Sequence, residues 1–172
     1  QLTEELYTGM IESVAPDRTM LKPFPRLEYA EAMDWYGSDK PDLRFRLEMT
    51  DVTDLAKETE FRVFLSVVKN GGIIKGFVVP GQGEYTGTLM RNLEETAQGF
   101  GAGGLSHVRF HGAGAIGEIA EEEVLLSPGL RMPVEWTRRL AEKMGADPGD
   151  LVLLMAGPSK QVNTWLRAMR DH

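Results

Sequence analysis

The 172-residue chain contains no cysteine. Disulfide staples and thiolate metal sites are therefore excluded, although the redox compartment is not fixed by that alone. No apolar run approaches the roughly 18 residues of a membrane span. No membrane partner is therefore expected. A basic-then-apolar leader is also missing, so secretion is not expected. An opening at Gln1 rather than Met suits a piece excised or processed from a longer chain. Positive charge is scarce. Residues 1–60 hold 7 Lys+Arg against 14 Asp+Glu, a net of −7, while residues 61–172 hold 12 of each. Neither half has the net basic balance of a strong phosphate-backbone binder, although a local basic patch within a neutral domain fits these counts. No internal repeat or low-complexity tract is apparent.

What is present suits a globular core. The hydrophobic share is 42%, enough to argue against disorder. The length allows one domain, or one domain with an arm. Leu2, Leu6, Met10 and Val14 recur at i, i+4, which predicts a helix over 2–14 ended by Pro16. Three prolines make 16–26 an extended connector. Tyr29 to Trp35 reads as a short helix stopped by Gly37. A polar loop over 37–46 runs into an extended stretch. Thr50 to Lys57 adds a further short helical turn.

From residue 61 the texture changes. Phe61, Val63, Leu65 and Val67 alternate as in a half-buried strand. Asn70-Gly71-Gly72 follows as a hairpin turn signal, with Ile73 to Val79 as the return strand. Leu89, Leu93 and Ala97 place a helix over 86–99. Leu105 to Phe110 is a strand, and 112–130 is a Gly- and Glu-rich connection. Val134 to Met144 is an amphipathic helix ended by Gly145. Asp150 to Met155 is a strand. Pro158 opens a last helix with the apolar stripe Val162, Leu166 and Met169. The order β-β-α-β-(α)-β-α predicts an α+β domain of two layers. The boundary falls near residue 58, giving an arm over 1–58 and a domain over 59–172.

Four motifs invite a functional reading, and each has a plainer one. Gly112-Ala113-Gly114-Ala115-Ile116-Gly117 fits GxGxxG after a strand. A dinucleotide fingerprint also needs a parallel βαβ unit and a later acidic residue, so a Gly-rich connection is the favoured reading. His107, Arg109 and His111 share one face of a strand. The two histidines lie about 13 Å apart at roughly 3.3 Å per residue, too far to share a metal. They read as the solvent-side row of the sheet, with Val108 and Phe110 toward the core, or more weakly as a nucleic-acid contact through Arg109. Glu121-Glu122-Glu123 reads as a solvated face or helix start rather than a catalytic pair. Arg138, Arg139 and Lys143 form a basic stripe on one helix, with Arg167 and Arg170 adding to it from the last. Phosphate contact is the sharper reading, and a solvated face near a helix C-terminus the plainer one.

The run Phe24 to Phe45 holds Tyr36-Gly37-Ser38-Asp39-Lys40-Pro41-Asp42. It resembles a signature segment of bacterial aspartyl-tRNA synthetases. Residues 61–172 resemble the GAD domain inserted in those enzymes and found in some tRNA-dependent amidotransferase subunits. The matching text includes Val68-Lys69-Asn70-Gly71-Gly72, Val78-Val79-Pro80-Gly81, Gly99 to Leu105, Gly145 to Val152, Lys160 to Asn163 and Leu166 to Arg170. The resemblance implies a class II enzyme that activates aspartate with ATP and Mg and transfers it to tRNA. It further implies a homodimeric, cytoplasmic parent. Neither Phe-Arg-x-Glu nor a Gly-rich strand bearing a phosphate-binding Arg occurs here. The chain itself is therefore expected to be an accessory module with no catalytic residue, metal or cofactor. Its expected partners are tRNA and the rest of the synthetase.

The resemblance also singles out Ser38, Asp39, Lys40, Asp42 and Arg44 as a ligand or tRNA contact. Lys and Arg in a stiffened loop hold carboxylate or phosphate, Arg bidentately. A salt-bridged hinge between catalytic body and insertion explains the same residues. A stand-alone tRNA-binding or scaffold protein is the alternative function. A free α/β enzyme using the Gly-rich loops lacks any nucleophile–base pair.

Overall fold

The computed structural model describes residues 2–20 and 22–172. Leu21, inside the expected connector, lies outside the described residues. Helix α1 spans Leu2–Val14 and α2 spans Tyr29–Tyr36. The short strand β1 (Thr50–Asp51) and α3 (Thr53–Ala56) follow, then α4 (Arg62–Lys69) and β2 (Ile73–Val79). Next come α5 (Gly87–Gly99), β3 (Ser106–Phe110), β4 (Val124–Leu126) and α6 (Val134–Met144). The chain closes with β5 (Leu151–Gly157) and α7 (Ser159–Arg170). Among the described residues no helix is long and apolar enough to cross a membrane.

The sheet is antiparallel in the order β1-β2-β5-β3-β4. Its centre is β5, whose sequence Leu151-Val152-Leu153-Leu154-Met155 is apolar at every position. Continuous apolarity of that kind is the mark of a strand covered on both faces. On one face Val152 and Leu154 join Val108 and Phe110 under α3, α4 and α6. On the other, Leu151, Leu153 and Met155 pack beneath α5 and α7. Leu140, Leu151, Leu154 and Leu166 are each fully buried, and each such side chain stabilises the fold by about 1.5–3 kcal/mol.

The α+β class holds, with two corrections of detail. Helices cover both faces of the sheet, so the layers number three rather than two. Residues 62–69 form α4 rather than the first strand of a hairpin. Phe64 is the residue they bury, with Phe61, Val67 and Val68 packed beside it. That spacing of three and four is helical. Asn70-Gly71-Gly72 then ends the helix. Gly71 has φ +74°, Gly72 N–H donates to the Val67 carbonyl at 2.9 Å, and Gly71 N–H to Val68 at 3.0 Å. These bonds make a Schellman cap, which uses the same φ > 0 tolerance that a hairpin would.

The arm enters the domain's core. Residues of β1 pair with Gly76 and Lys75 of β2. Val52, Leu55 and Ala56 are buried beneath α6. By contrast α1 has no buried residue, and Leu2, Leu6, Met10 and Val14 stay exposed. It is tied to the connector through Glu12–Lys22 and Glu4–Arg26 ion pairs.

Candidate functional site

The loop after α2 is built by local rules. Half of a capping box starts the helix, the Glu28 backbone N–H donating to Glu31 Oε2 at 3.1 Å. Gly37 ends it with φ +66°, and its N–H donates to the Met33 carbonyl at 3.1 Å. A side chain at Gly37 would also meet the Asn163 carbonyl oxygen of α7 at 2.8 Å. Glycine is thus required both for the left-handed turn and for close approach to α7.

Three of the five loop residues are used internally. Ser38 is buried, and its Oγ accepts from the Lys40 backbone N–H at 3.1 Å. Asp42 accepts from the Arg44 backbone N–H at 2.9 Å and from Arg44 Nε and Nη2. The Arg44 hydrogen bonds hold the Asp42 carboxyl down at about 2. Asp39 and Lys40 remain, both exposed, and neither side chain has a hydrogen-bonding partner among the described residues. The structure thus separates a loop frame (Ser38, Asp42, Arg44) from an outward pair (Asp39, Lys40).

The frame is gripped from α7. Arg170 is buried. Its Nη2 donates to the carbonyls of Asp42, of Phe45 at 3.0 Å and of Arg46 at 3.5 Å. Its guanidinium lies 4.8 Å from the Tyr36 ring centre and 4.6 Å from that of Phe45. A planar cation suits both tasks, multiple carbonyl donation and stacking on rings. Tyr36 in turn donates to Glu48 at 3.0 Å, and burial, ahead of that carboxylate, raises its pKa. A second grip comes from β2, where buried Lys75 donates to the Asp34 carbonyl at 2.6 Å and carboxylate at 2.5 Å.

Sequence reasoning had placed Arg170 in an exposed stripe with Arg138, Arg139, Lys143 and Arg167. The structure divides these residues. Helices α6 and α7 lie on opposite faces of the sheet, so no common stripe exists. Arg138 donates to the Ile119 carbonyl at 3.1 and 2.6 Å. Arg139 pairs with Glu58 at 2.5 Å, and Lys143 pairs with Asp54. Two of the α6 cations, Arg139 and Lys143, therefore face carboxylates of residues 54–58, and the third, Arg138, is used on the Ile119 carbonyl.

The remaining motifs fall out by geometry. Residues 112–117 join antiparallel β3 and β4 and end in a single turn of 3-10 helix at Ile116–Glu118. No parallel βαβ unit follows. Glu121–Glu123 is a second such turn. Among the described residues no group of three or more His, Asp or Glu is placed to hold a metal ion.

His107, Arg109 and His111 do share a face, with Val108 and Phe110 on the core side as expected. The face is not open to solvent, however: His107 is buried, and Arg109 and His111 are half-buried beneath the loop that precedes α5. Arg109 donates to the Tyr85 carbonyl, and His111 Nδ1 lies 2.7 Å from Glu84. His107 is buried, and burial, with Arg109 second, pushes its pKa down to about 4. An unfolded histidine titrates near 6.5. As pH falls the unfolded chain takes the proton first, so stability should be full above about 6.5 and should fall toward pH 4. The expected loss is about 1–2 kcal/mol, after discounting for solvent screening. The carboxylates of Glu4, Asp42 and Asp54 have lowered pKa values, so their contribution fades only as pH falls through the ordinary carboxylate range, at the lower edge of this window, and does so equally in the parent and in a His107 variant. Urea midpoints measured at pH 7 and pH 4.5 should differ less in His107→Gln than in the parent. Equal differences would remove His107 as the cause.

Comparison with known proteins places this architecture. Residues 64–166 match the GAD domain family. The whole chain is 40% identical over 173 residues to an aspartate–tRNA(Asp/Asn) ligase of Dehalococcoides mccartyi, covering 29% of that protein. It is 41% identical over 172 residues to the ligase of Rubrobacter xylanophilus, covering 27% of it. It is also 41% identical over 173 residues to that of Salinibacter ruber, covering 26%. The chain thus spans under a third of the length of these relatives.

Proposed function

The chain belongs to the GAD domain family, and on that footing we propose that it is the accessory, non-catalytic insertion module of an aspartate–tRNA ligase. It is homologous to the insertion region of aspartyl-tRNA synthetases and matches only part of them. The observation that carries the reading is collinear identity of about 40% across the full chain. In this reading the longer polypeptide activates aspartate with ATP and Mg, transfers it to tRNA, and works as a cytoplasmic homodimer. The residues present do not fit the ATP–metal site. Among the described residues there is no group of three or more carboxylate or imidazole side chains for the ion, and the loop of Gly112, Gly114 and Gly117 runs only into a single turn of 3-10 helix. That chemistry is assigned to the parts of the relatives beyond the matched segment.

Residues 1–58 are proposed to serve as the arm from the catalytic body and 59–172 as the insertion, with residues 50–56 shared between them. Lys40 and Asp39 are the proposed tRNA or ligand contacts. Ser38, Asp42 and Arg44 shape the loop that presents them. Arg139 and Lys143 are proposed to secure the seam between arm and insertion, while Arg138 braces the 119 turn within the insertion; phosphate contact by the three is secondary.

Two assays test this. The purified chain should give no aspartate-dependent exchange of pyrophosphate into ATP. Exchange above background would overturn the accessory reading. Any tRNA binding should weaken with salt, and Lys40→Ala should reduce the slope of log K against log salt by about 1. An unchanged slope would remove Lys40 from the contact.

A further inference from the structure

We propose that Arg170 is a positioning residue through which the GAD domain holds the 37–46 loop in its working shape. The inference rests on the proposed role of that loop and adds the element that orders it. Arg170 sits in the last turn of α7, whose Val162, Leu166 and Met169 are buried in the sheet's second core. The helix is therefore fixed by the domain. From it one guanidinium nitrogen reaches three carbonyls of the loop backbone, those of Asp42, Phe45 and Arg46. The same group lies over both the Tyr36 and the Phe45 ring. At the other end of the loop, Gly37 lies against the Asn163 carbonyl and Arg167 Cβ of the same helix. One helix thus grips both ends of the segment.

What the grip leaves outside is informative. Asp39 and Lys40 lie between the two gripped ends and are exposed. The Asp42–Arg44 pair has its own closed geometry, so Arg44 does not compete for the Arg170 position. A loop of ten residues held only by its own turns would sample many shapes, and each ordered residue costs about 1–2 kcal/mol of backbone entropy. Holding it from a rigid helix removes that cost before a ligand arrives. A displacement of α7 would be transmitted to Lys40 for the same reason.

Lysine cannot replace arginine here. Its ammonium has no plane to lay over the two rings, and its shorter stem does not reach the position of Nη2. The test is amide exchange of the full chain, comparing Arg170→Lys and Arg170→Met with the parent. The hydrogen-bonded amides of the segment, Arg44 N–H on the Asp42 carboxylate and Met49 N–H on the Trp35 carbonyl, should exchange at least tenfold faster in both variants, with β5 amides within twofold of the parent. Phe45→Leu removes one ring without touching α7. It should speed the same amides, and it decides the matter if the Arg170 variants do not fold. Loop exchange within twofold of the parent, or equal acceleration in loop and β5, would overturn the proposal. Salt-dependent tRNA binding is measured on the same samples. A loop freed by Arg170→Lys in a chain that binds no tRNA would sustain the grip and remove the tRNA contact. Unchanged loop exchange in a chain that does bind would do the reverse.

Discussion

Gly76→Ala should be the most destabilising single-methyl addition in the protein, lowering its melting point by about 10–15 °C. Gly76 lies inside β2, opposite Thr50 of β1 and Leu154 of β5. A Cβ there would overlap the Leu153 carbonyl oxygen and lie 2.7 Å from Leu154 Cδ2. The carbonyl belongs to the central strand, so it cannot turn aside as a side-chain tip would. The β2–β5 ladder must separate, and it is the longest pairing in the sheet, running from Ile73↔Gly157 to Val79↔Leu151. Overpacking usually costs about 1–3 kcal/mol and more where backbone must move. A cost of about 3–5 kcal/mol is expected here, against a total of about 5–15 kcal/mol for a domain. Thermal melting should shift down by about 10–15 °C for a chain of this size. Gly87→Ala is the control. It sits at the start of α5 with open space around it and should be neutral or slightly stabilising. A Gly76→Ala melting point within 2 °C of the parent would show that the two strands have room to spare.

The ends of α1, β2 and α6 were legible in the sequence because spacing, glycine and proline agree there. Residues 61–69 were not. Phe61, Val63, Leu65 and Val67 fit a strand, while Phe61, Phe64, Val67 and Val68 fit a helix, since most of the segment is apolar. The decision came from elsewhere in the chain. Both edges of β2 are occupied, by β1 and β5, so no edge remained for a further strand. The two covered faces were legible in principle from β5, which lacks any polar alternation. The row His107, Arg109, His111 obscured this, because polar side chains suit solvent and suit a second layer that supplies carbonyl and carboxylate partners.

The loop at 38–44 was found by resemblance, and its internal pairing of Asp42 with Arg44 is local enough to have been expected from turn chemistry. The grip of Arg170 was not readable. It joins residues 128 positions apart, and an arginine near a helix C-terminus ordinarily serves the helix dipole in solvent. Only the neighbouring buried Met169 hinted that this turn faces inward.

Trp136→Ala should have the second large effect, and it bears on where the module begins. Trp136 of α6 is buried in the core that also holds Val52, Leu55 and Ala56 from before residue 58. Its Nε1–H donates to the Leu55 carbonyl at 3.0 Å. Arg139–Glu58 and Lys143–Asp54 repeat the link along the same helix. Removing the indole empties a site that the sheet and α3 cannot both close, at a cost of about 3–5 kcal/mol. Trp136→Phe keeps most of the packing and loses the hydrogen bond. The Leu55 carbonyl still accepts from Glu58 N–H at 3.1 Å, so about 0.5–1.5 kcal/mol is expected. Amide exchange separates two outcomes. If residues 50–58 are part of the domain's cooperative unit, Trp136→Ala accelerates exchange in α3 and in α6 together. If they are an appended arm, α6 and the sheet weaken while α3 amides keep their parent rates. The paired register Thr50↔Gly76 and Asp51↔Lys75 argues for the first. Strand β1 is only two residues long, and its hold on β2 depends on the core that Trp136 fills just below it.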